Sequence, residues 1–427
     1  MHVMMLSWEY PPRVVGGLAR HVGELARALV VQGLDVSVIT TGEGSPSLKI
    51  EDGVLVARWP KRGPAGGDFL SDTMLMNYSL LEAAMAVADS AGRPDLIHGH
   101  DWLVAPAAWT LKHSWHRPLL ATIHATEVGR NKGLHNDLQR RISDLEWALG
   151  YESWRVIVCS QAMVEEVGNF FCIPRDKLAM IPNGVNLPLP GEADDAGRAK
   201  FAAPEEKIIL YVGRLVPEKG VGVLIDAMPQ VLAAHPEAKL LIVGSGYEED
   251  NLKRQAASLG LGPKVYFTGF ISDKERDALY RSASVAVFPS LYEPFGIVAL
   301  EAMSFSVPTI VGKTGGLAEI VDDNNGLLAE PGNAADLAGK INWLLSDPAL
   351  AAKLSRNGLA ACKQYGWQHV ASATEALYQE VLEEFRHSAW PDAESYWTLD
   401  DAIDRIDRLF SATVHQRYQN TRGGGVM

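Results

Sequence analysis

Short apolar runs alternate with longer amphipathic segments along the first half of the chain. The segment from Leu18 to Gln32 carries apolar residues at helical spacing and ends at Gly33, which favours a helix that stops there. Further helices are predicted for Met74 to Asp89, Val104 to Lys112, Leu134 to Leu149 and Gln161 to Phe170. Strands are predicted for Val3 to Ser7, Val36 to Thr40, Val54 to Ala57, Leu96 to His98, Leu119 to Ile123 and Arg155 to Cys159. This alternation predicts an α/β fold with a parallel sheet covered by helices on both faces.

The same pattern starts again after a stretch rich in proline, small residues and acids. We predict a first domain over residues 1–186, a hinge over residues 187–206 and a second domain over residues 207–387. The sequence predicts an almost wholly helical chain from Asp336 to about His387. It also predicts an amphipathic helix from Thr398 to Phe410. The strands of the second domain are predicted for Ile208 to Val212, Leu240 to Val243, Val265 to Thr268, Val285 to Phe288 and Thr309 to Val311.

Length and composition agree with two globular domains. A chain of 427 residues is too long for one ordinary core. With 47% hydrophobic and 21% charged residues and no uninterrupted apolar run long enough to cross a bilayer, no transmembrane segment is expected. The first nine residues lack a basic segment and fit a first strand better than a signal peptide, so we expect a cytoplasmic protein.

Charge and cysteine usage exclude several classes of partner. The chain has 39 basic and 52 acidic residues, a net charge of −13 that argues against a nucleic-acid partner. Cys159, Cys172 and Cys362 lie far apart without metal spacing and are interpreted as reduced thiols. His98 and His100, followed by Asp101, could hold a metal, but no further well-spaced ligand is close in sequence, so we predict no metal site.

A pair of acids in the second half follows an apolar strand and a sharp turn. Glu293 lies before or at the first turn of a helix predicted from Phe295 to Ser304, and Glu301 lies eight residues later, close to two full helical turns away. Carboxylates in such positions can bind the hydroxyl groups of a sugar. The alternative is that Glu293 only caps the helix and that Glu301 is solvated.

Two cations and two glycine pairs also lie where a strand passes into a helix. Arg214 and Lys219 follow a predicted strand, and a guanidinium with a nearby ammonium can bind phosphate oxygens. Gly16 and Gly17 join the first strand to the first helix, where the backbone can approach an anion closely. The alternatives are solvated surface cations and a flexible connection.

The run Glu293-Pro294-Phe295-Gly296, followed by Glu301 and by Gly315-Gly316, resembles the signature of the family 4 retaining glycosyltransferases. This resemblance implies the GT-B fold, in which two doubly wound Rossmann-like domains face a central cleft. It also implies a nucleotide-sugar donor and no metal or other cofactor. Residues 388–422 would then be helices that return to complete the first domain. The run from His98 to Trp102 is similar to glycogen and starch synthases in particular.

The resemblance implies a role for each matching residue. Glu293 would hold the hydroxyls of the donor sugar within the Phe295 and Gly296 turn, Glu301 would hold the ribose, and His124 would lie under the transferred sugar. The diphosphate would be met by Arg214, Lys219, Gly16, Gly17, Gly315 and Gly316. Asp101 would lie near the acceptor, Gly244 and Ile271 would approach the nucleoside, and Asn183 belongs to the signature that closes the first domain.

The expected reaction is transfer of a hexosyl group from a nucleotide sugar to a saccharide. The resemblance to glycogen and starch synthases implies ADP- or UDP-glucose as the donor, a glucosyl group as the one transferred and an α-glucan as the acceptor. Glycogen and starch synthases often carry a lysine two positions before the glycine pair, where this chain has Val14 or Val15. Three alternatives therefore stay open. The first is a family 4 transferase that acts on another acceptor, such as a mannosyl- or other hexosyltransferase. The others are a sugar-nucleotide epimerase and a non-catalytic glucan-binding protein. A glucan phosphorylase is disfavoured because no convincing lysine site for pyridoxal phosphate is found. Same-face attack and double displacement through Glu293 are both compatible with retention.

Overall fold

Two parallel sheets form the framework of the chain. The computed structural model describes residues 1–62, 68–188 and 198–390. Contacts divide these residues into two compact units. The first unit comprises 1–159, 163–181 and the described residues from Gln368 onward, and the second comprises 160–162 and the described residues of 182–367.

The first unit contains a sheet that is parallel except at one edge. Among the described residues its strand order is β3-β4-β2-β1-β5-β6-β7-β8. The strands predicted from apolar runs are confirmed, with small shifts of their ends. The strands are β1 (His2–Leu6), β2 (Asp35–Gly42), β3 (Ser47–Glu51), β4 (Val54–Pro60), β5 (Leu96–His100), β6 (Leu119–Ile123), β7 (Arg155–Val158) and β8 (Leu178–Met180).

The antiparallel edge strand β3 is a difference from the all-parallel prediction. It pairs with β4 through a tight turn in which Asp52 has φ 49° and Gly53 has φ 82°. Positive φ at two central residues is the geometry that Asp-Gly favours in a hairpin, because it matches the twist of the strands. The segment from Ser47 to Glu51 alternates polar residues with Leu48 and Ile50, whereas the prediction relied on continuous apolar runs.

Most helices of the first unit bury apolar residues. In α1 (Gly17–Val31) the buried residues include Val22, Leu25 and Leu29, which recur at helical spacing as predicted. The other helices are α2 (Phe69–Ala91), α3 (Ala105–Trp115), α4 (Glu127–Arg130), α5 (Asp137–Glu152) and α6 (Gln161–Phe170).

The second unit has the strand order of a dinucleotide-binding fold. Its sheet runs β11-β10-β9-β12-β13-β14, and all of its described pairings are parallel. The strands are β9 (Lys207–Val212), β10 (Ala238–Val243), β11 (Val265–Gly269), β12 (Val285–Phe288), β13 (Thr309–Gly312) and β14 (Leu327–Ala329). The helices are α7 (Val221–Ala234), α8 (Glu249–Ser258), α9 (Asp273–Ser282), α10 (Ile297–Ser304), α11 (Leu317–Ile320), α12 (Ala334–Ser346) and α13 (Pro348–Cys362). The two predicted Rossmann-like sheets are therefore confirmed.

The last described helix, α14 (Trp367–His387), corrects the predicted domain boundary. We assigned residues 207–387 to the second domain, but from Gln368 onward the described chain groups with the first unit. Tyr378 is fully buried there and its hydroxyl lies 2.7 Å from His98 Nδ1 on β5. Arg155 on β7 forms ion pairs with Glu380 and Glu384 of the same helix.

Two further sequence predictions concern the C-terminal residues, which lie almost entirely outside the described chain. The C-terminal helices expected over residues 388–422 and the helix from Thr398 to Phe410 lie outside it, apart from residues 388–390. Across the part of the chain that the structure describes, no helix combines the length and the apolar character needed to span a bilayer.

Tyr378→Phe should weaken the packing of α14 on β5. The substitution removes the hydroxyl that contacts His98, and an imidazole nitrogen left buried without a partner costs about 1–3 kcal/mol. Hydrogen exchange of peptides from β5, followed by mass spectrometry, should show a lower opening free energy. Tyr151→Phe is the matched control because Tyr151 is 65% exposed. Equal exchange in both variants would contradict the assigned contact.

Candidate functional site

The order of strands identifies where each sheet can bind a ligand. The order reverses between β1 and β5 in the first unit and between β9 and β12 in the second. In open parallel sheets ligands bind outside the carboxyl ends of the strands at this reversal. The loops that leave these four strands carry Gly16, Asp101, Arg214, Lys219 and Glu293. The residues predicted from sequence thus gather at the expected edge of each sheet.

In the second unit Lys219 and Glu293 form a buried ion pair. The Lys219 ammonium donates to Glu293 Oε2 at 2.6 Å, and the Ser290 hydroxyl donates to the same oxygen at 3.4 Å. The side chains are 18% and 10% exposed, so the pair is only weakly screened by water. Glu293 precedes α10 and is not simply a helix cap, because Gly296 occupies the cap position. The alternative that Glu293 only caps the helix is therefore wrong.

The loops after β9 and β12 are fixed to each other by backbone contacts. The carbonyl of Glu218 accepts hydrogen bonds from the amides of Leu291 and Tyr292, at 2.8 and 3.2 Å. Gly220 has φ 66°, and a Cβ atom there would lie 2.1 Å from the Pro289 carbonyl oxygen. Only glycine fits this position. The close approach holds Lys219 beside Glu293.

Arg214 lies on the same loop but in a more open environment. Its side chain is 46% exposed and its guanidinium is 3.7 Å from the Glu218 carboxylate. The fully buried Tyr211 donates its hydroxyl to the Arg214 carbonyl at 2.9 Å, which fixes the backbone at this point. Most of the guanidinium donors remain accessible to an anion.

The glycine pair 315–316 packs directly on the acid-bearing loop. A Cβ atom at Gly315 would lie 2.1 Å from the Glu293 carbonyl oxygen, and φ of Gly315 is 46°. The Gly316 amide donates to that same carbonyl at 3.0 Å. The Gly316 amide is thus engaged within the protein, and the helix that follows, α11, has only four residues.

Three further predicted residues of the second unit lie on α10 or directly before it. Glu301 lies on α10 and accepts a hydrogen bond of 3.4 Å from the Tyr280 hydroxyl. Phe295 is buried and its ring lies 5.9 Å from that of Tyr365. Gly296 has φ 112° where the chain turns into α10.

The loops predicted to approach the nucleoside follow β10 and β11. Gly244 has φ 127°, its amide donates to the Gly269 carbonyl at 3.0 Å, and a Cβ atom would lie 2.0 Å from the Gly213 carbonyl oxygen. Ile271 is half-buried just before α9. Asn183 is buried at the start of the connection, and its side-chain oxygen has no hydrogen-bond partner among the described residues.

In the first unit the glycine pair is already occupied by a carboxylate that the sequence analysis missed. Glu9 is 2% exposed, and its carboxylate accepts from the amides of Val15 at 2.6 Å, Gly16 at 3.3 Å and Ala19 at 3.3 Å. Burial raises the pKa of Glu9, while these amides act in the opposite direction. Glu9 therefore supplies the negative charge that the N-terminus of α1 favours. The sequence signal for this contact is the position of Glu9, an acid between β1 and the glycine pair.

Asp101 has a strained backbone at the end of β5. Its φ of 62° and ψ of 168° lie in a region that is essentially restricted to glycine. The carboxylate accepts from the His124 amide at 2.7 Å, and the Asp101 amide donates to the Thr122 carbonyl at 2.9 Å. Burial raises the pKa of Asp101 to about 6 against the opposing effects of the His124 amide and the Arg130 charge. These two hydrogen bonds hold the loops after β5 and β6 together and keep Asp101 in its strained conformation.

Four histidines, which we call the histidine cluster, surround the same strand ends. His98 Nε2 lies 2.7 Å from the Thr122 hydroxyl, and His100 Nδ1 lies 3.3 Å from His124 Nε2. His21 from α1 completes the cluster, with its ring centroid 4.7 Å from that of His124. Burial lowers the pKa of His98 and of His124 to about 3 and lowers that of His100 well below its usual value. These rings are therefore neutral at physiological pH.

Comparisons with known proteins agree with the fold of two parallel sheets described above. Residues 15–188 match the model described as Glycosyltransferase Family 4, and residues 194–360 match that described as Glycosyl transferases group 1. An uncharacterized glycosyltransferase of Methanocaldococcus jannaschii is 39% identical over 394 residues, which cover 90% of this chain and 99% of that protein. The chain belongs to the family 4 glycosyltransferases. The predicted family, GT-B fold and enzyme class are thereby confirmed.

Two further relatives of this glycosyltransferase have named activities. Glycogen synthase of Mycobacterium tuberculosis is 37% identical over 401 residues, covering 88% of this chain and 94% of that protein. The structure of a sucrose-phosphate synthase from Thermosynechococcus elongatus superimposes with a TM-score of 0.78 and 28% identity, covering 90% of this chain and 99% of that one. The two names denote different products, so they narrow the class of enzyme and leave its acceptor open.

Asp101→Gly should be more stable than Asp101→Ala in this glycosyltransferase. Both variants lose the carboxylate that accepts from His124, but only glycine relieves a backbone conformation that costs about 1–3 kcal/mol in other residues. Thermal unfolding followed by circular dichroism should give the higher midpoint for Asp101→Gly. Asp95→Gly and Asp95→Ala make a control pair at a position with negative φ. Equal midpoints for the two Asp101 variants would show that the strain is absent.

Protonation of His98 should make stability depend on pH. The unfolded chain binds a proton at this imidazole near pH 6.5, whereas the folded chain does so only near pH 3. The wild type therefore loses the contribution of neutral His98 as the pH falls below 6.5, by up to about 1.4 kcal/mol per pH unit. His98→Asn has no such loss, so its stability deficit in urea unfolding should shrink from pH 7 to pH 5. A deficit that stays constant between pH 7 and pH 5 would contradict a neutral buried imidazole at His98.

Proposed function

We propose that this glycosyltransferase retains the anomeric configuration and transfers a glucosyl group from ADP- or UDP-glucose to an α-glucan. The observation that carries the proposal is the buried Lys219 and Glu293 pair, with Arg214 open on the same loop. The 37% identity to a glycogen synthase over most of both chains supports the glucosyl donor and the glucan acceptor.

In this proposal the cations of the second unit stabilise the leaving group. A nucleoside diphosphate gains negative charge as the glycosidic bond breaks, and fixed positive charges lower the barrier to that step. The Lys219 ammonium has three donors, of which one is directed to Glu293. The remaining donors and the Arg214 guanidinium would bind the phosphate oxygens. We propose that this positive charge makes a catalytic metal unnecessary.

The acids would orient the sugar and the ribose. Glu293 is held through Oε2 by Lys219 and Ser290, so Oε1 would accept hydroxyl groups of the donor sugar. Glu301, two turns into its element, would hold the ribose. The main-chain groups near Gly244 and Ile271 would contact the base. Because the Gly316 amide donates to Glu293, Gly315 would carry more of the diphosphate contact from that pair.

In the first unit His124 and Asp101 would act on the transferred sugar and the acceptor. His124 is half-buried and neutral, so its ring can hold a sugar hydroxyl without adding charge near C1. The strain at Asp101 supports a functional interpretation, since such strain gathers at active sites. The first glycine pair would contact the diphosphate mainly through Gly17, because the Gly16 amide donates to Glu9.

A second candidate is transfer to a small phosphorylated sugar. The similarity to a sucrose-phosphate synthase favours it, as does the valine at positions 14 and 15 where glycogen and starch synthases often carry lysine. The chemistry at the donor would be unchanged. Only the acceptor would differ.

The purified enzyme should convert one or two members of a panel of ADP-, UDP- and GDP-sugars. Maltooligosaccharides are the expected acceptors, hexose phosphates represent the second candidate, and product NMR should report an α linkage. Turnover should persist in EDTA because Arg214 and Lys219 supply the positive charge. An epimerised nucleotide sugar without acceptor, or donor binding without turnover, would refute the proposal.

Lys219→Ala should lower kcat at least about tenfold while the fold stays intact, because it removes a contact that strengthens in the transition state. Glu293→Gln should have a comparable effect on kcat. Lys253→Ala is the matched control, since Lys253 forms an exposed ion pair with Glu249 one helical turn away. An unchanged kcat in Lys219→Ala would remove the pair from the mechanism.

A further inference from the structure

Three of the four imidazoles in the histidine cluster come from three separate segments. His21 comes from α1, His100 from the end of β5 and His124 from the loop after β6. One ring nitrogen from each lies within 4.8 Å of those of the other two. The sequence analysis found no third ligand near His98 and His100, because both additional ligands are far away along the chain.

The spacing within the cluster fits a tetrahedral metal site. Zinc binds imidazole nitrogen at about 2.0–2.1 Å, so two ligands of a tetrahedral ion lie about 3.3 Å apart. His100 Nδ1 and His124 Nε2 are separated by 3.3 Å. The third nitrogen needs a side-chain rotation to reach the same spacing. A fourth position would be left for water or a substrate oxygen, as in zinc sites with three histidines.

Imidazole is also a suitable ligand for a metal of this class. A neutral histidine offers one ring nitrogen with a free electron pair, and three such nitrogens come together here. His124 is half-buried, which gives an ion a path from solvent, whereas His21 and His100 are buried behind it. Imidazole ligands suit zinc, copper, nickel and iron better than magnesium or calcium.

We propose that His21, His100 and His124 form a binding site for a divalent transition-metal ion of the zinc class. The site is separate from the phosphate-binding cations proposed above, and its occupation does not depend on the proposed reaction. If His124 also holds the transferred sugar, which rests on the proposed function, the ion and the donor sugar exclude each other.

Cobalt chloride is the direct probe, because tetrahedral Co²⁺ absorbs visibly and imidazole and thiolate ligands give different spectra. Untagged full-length enzyme, freed of metal, should bind one Co²⁺ with imidazole ligands and release it to Zn²⁺. Cys172→Ser tests the exposed thiol as a rival ligand and should leave the spectrum unchanged. Absence of a tetrahedral spectrum, or its loss in Cys172→Ser, would overturn the site.

Two substitutions of His21 then assign the ligands. His21→Phe keeps an aromatic ring in the buried position, and His21→Asn is a smaller second variant for the case in which phenylalanine disturbs the fold. Either folded variant should bind Co²⁺ at least about tenfold more weakly than the wild type. His369→Ala, at an exposed histidine, should bind as the wild type does. Unchanged affinity in a folded His21 variant would refute the proposal.

A kinetic measurement separates this proposal from the proposed function. Zn²⁺ should raise the apparent KM for the donor in the wild type and have at least about tenfold less effect in His21→Phe. Metal binding without this inhibition would keep the metal site and contradict only the sugar contact of His124. Inhibition that persists unchanged in His21→Phe would place the inhibitory ion elsewhere and contradict the assignment.

Discussion

The desolvation of charged and polar groups at strand ends is the constraint on which the rest of the structure depends. Parallel strands place their carboxyl ends on one edge of a sheet, and each unit gathers polar side chains there. A charge taken out of water must be matched by a partner of opposite charge or by hydrogen bonds. Lys219 meets Glu293, and Glu9 meets three backbone amides. Each arrangement therefore fixes its loop in one conformation.

The two units solve this problem with different chemistry. The second unit buries a charged pair, whose attraction offsets part of the cost of desolvation. The first unit keeps its imidazoles neutral, so it avoids that cost but gives up their positive charge. A phosphate ligand would thus be attracted mainly by the second unit. Neutral histidines suit sugar hydroxyls, which need hydrogen bonds rather than charge.

Much of the fold could be predicted because local sequence patterns indicate where its strands and helices lie. The apolar runs and helical periodicity identified β6, β12 and α6 with the bounds that the structure has. The hairpin at Asp52 was missed because its outer strand alternates polar and apolar residues and has no continuous apolar run. The boundary before α14 was missed because the return of a helix to another unit depends on long-range packing, here the contact of Tyr378 with His98.

The candidate site was predictable where neighbours in sequence are also neighbours in space. The loops around Arg214, Glu293 and Gly315 each follow one strand, so motif and geometry coincide. The contact of His21 with His124 was not predictable, because no local signal joins segments so far apart along the chain. The contact of Glu9 with the start of α1 had a local signal, an acid shortly before the glycine pair, but the sequence does not show that its carboxylate turns onto those amides. The same contacts change the chemistry assigned to single motifs. Because Glu9 accepts from the Gly16 amide, a glycine pair expected to bind an anion already binds one, and a diphosphate bound as proposed would meet a carboxylate at that turn. In the proposed function the attraction of the diphosphate would therefore come mainly from the cations of the second unit, which the glycine motif alone could not have shown.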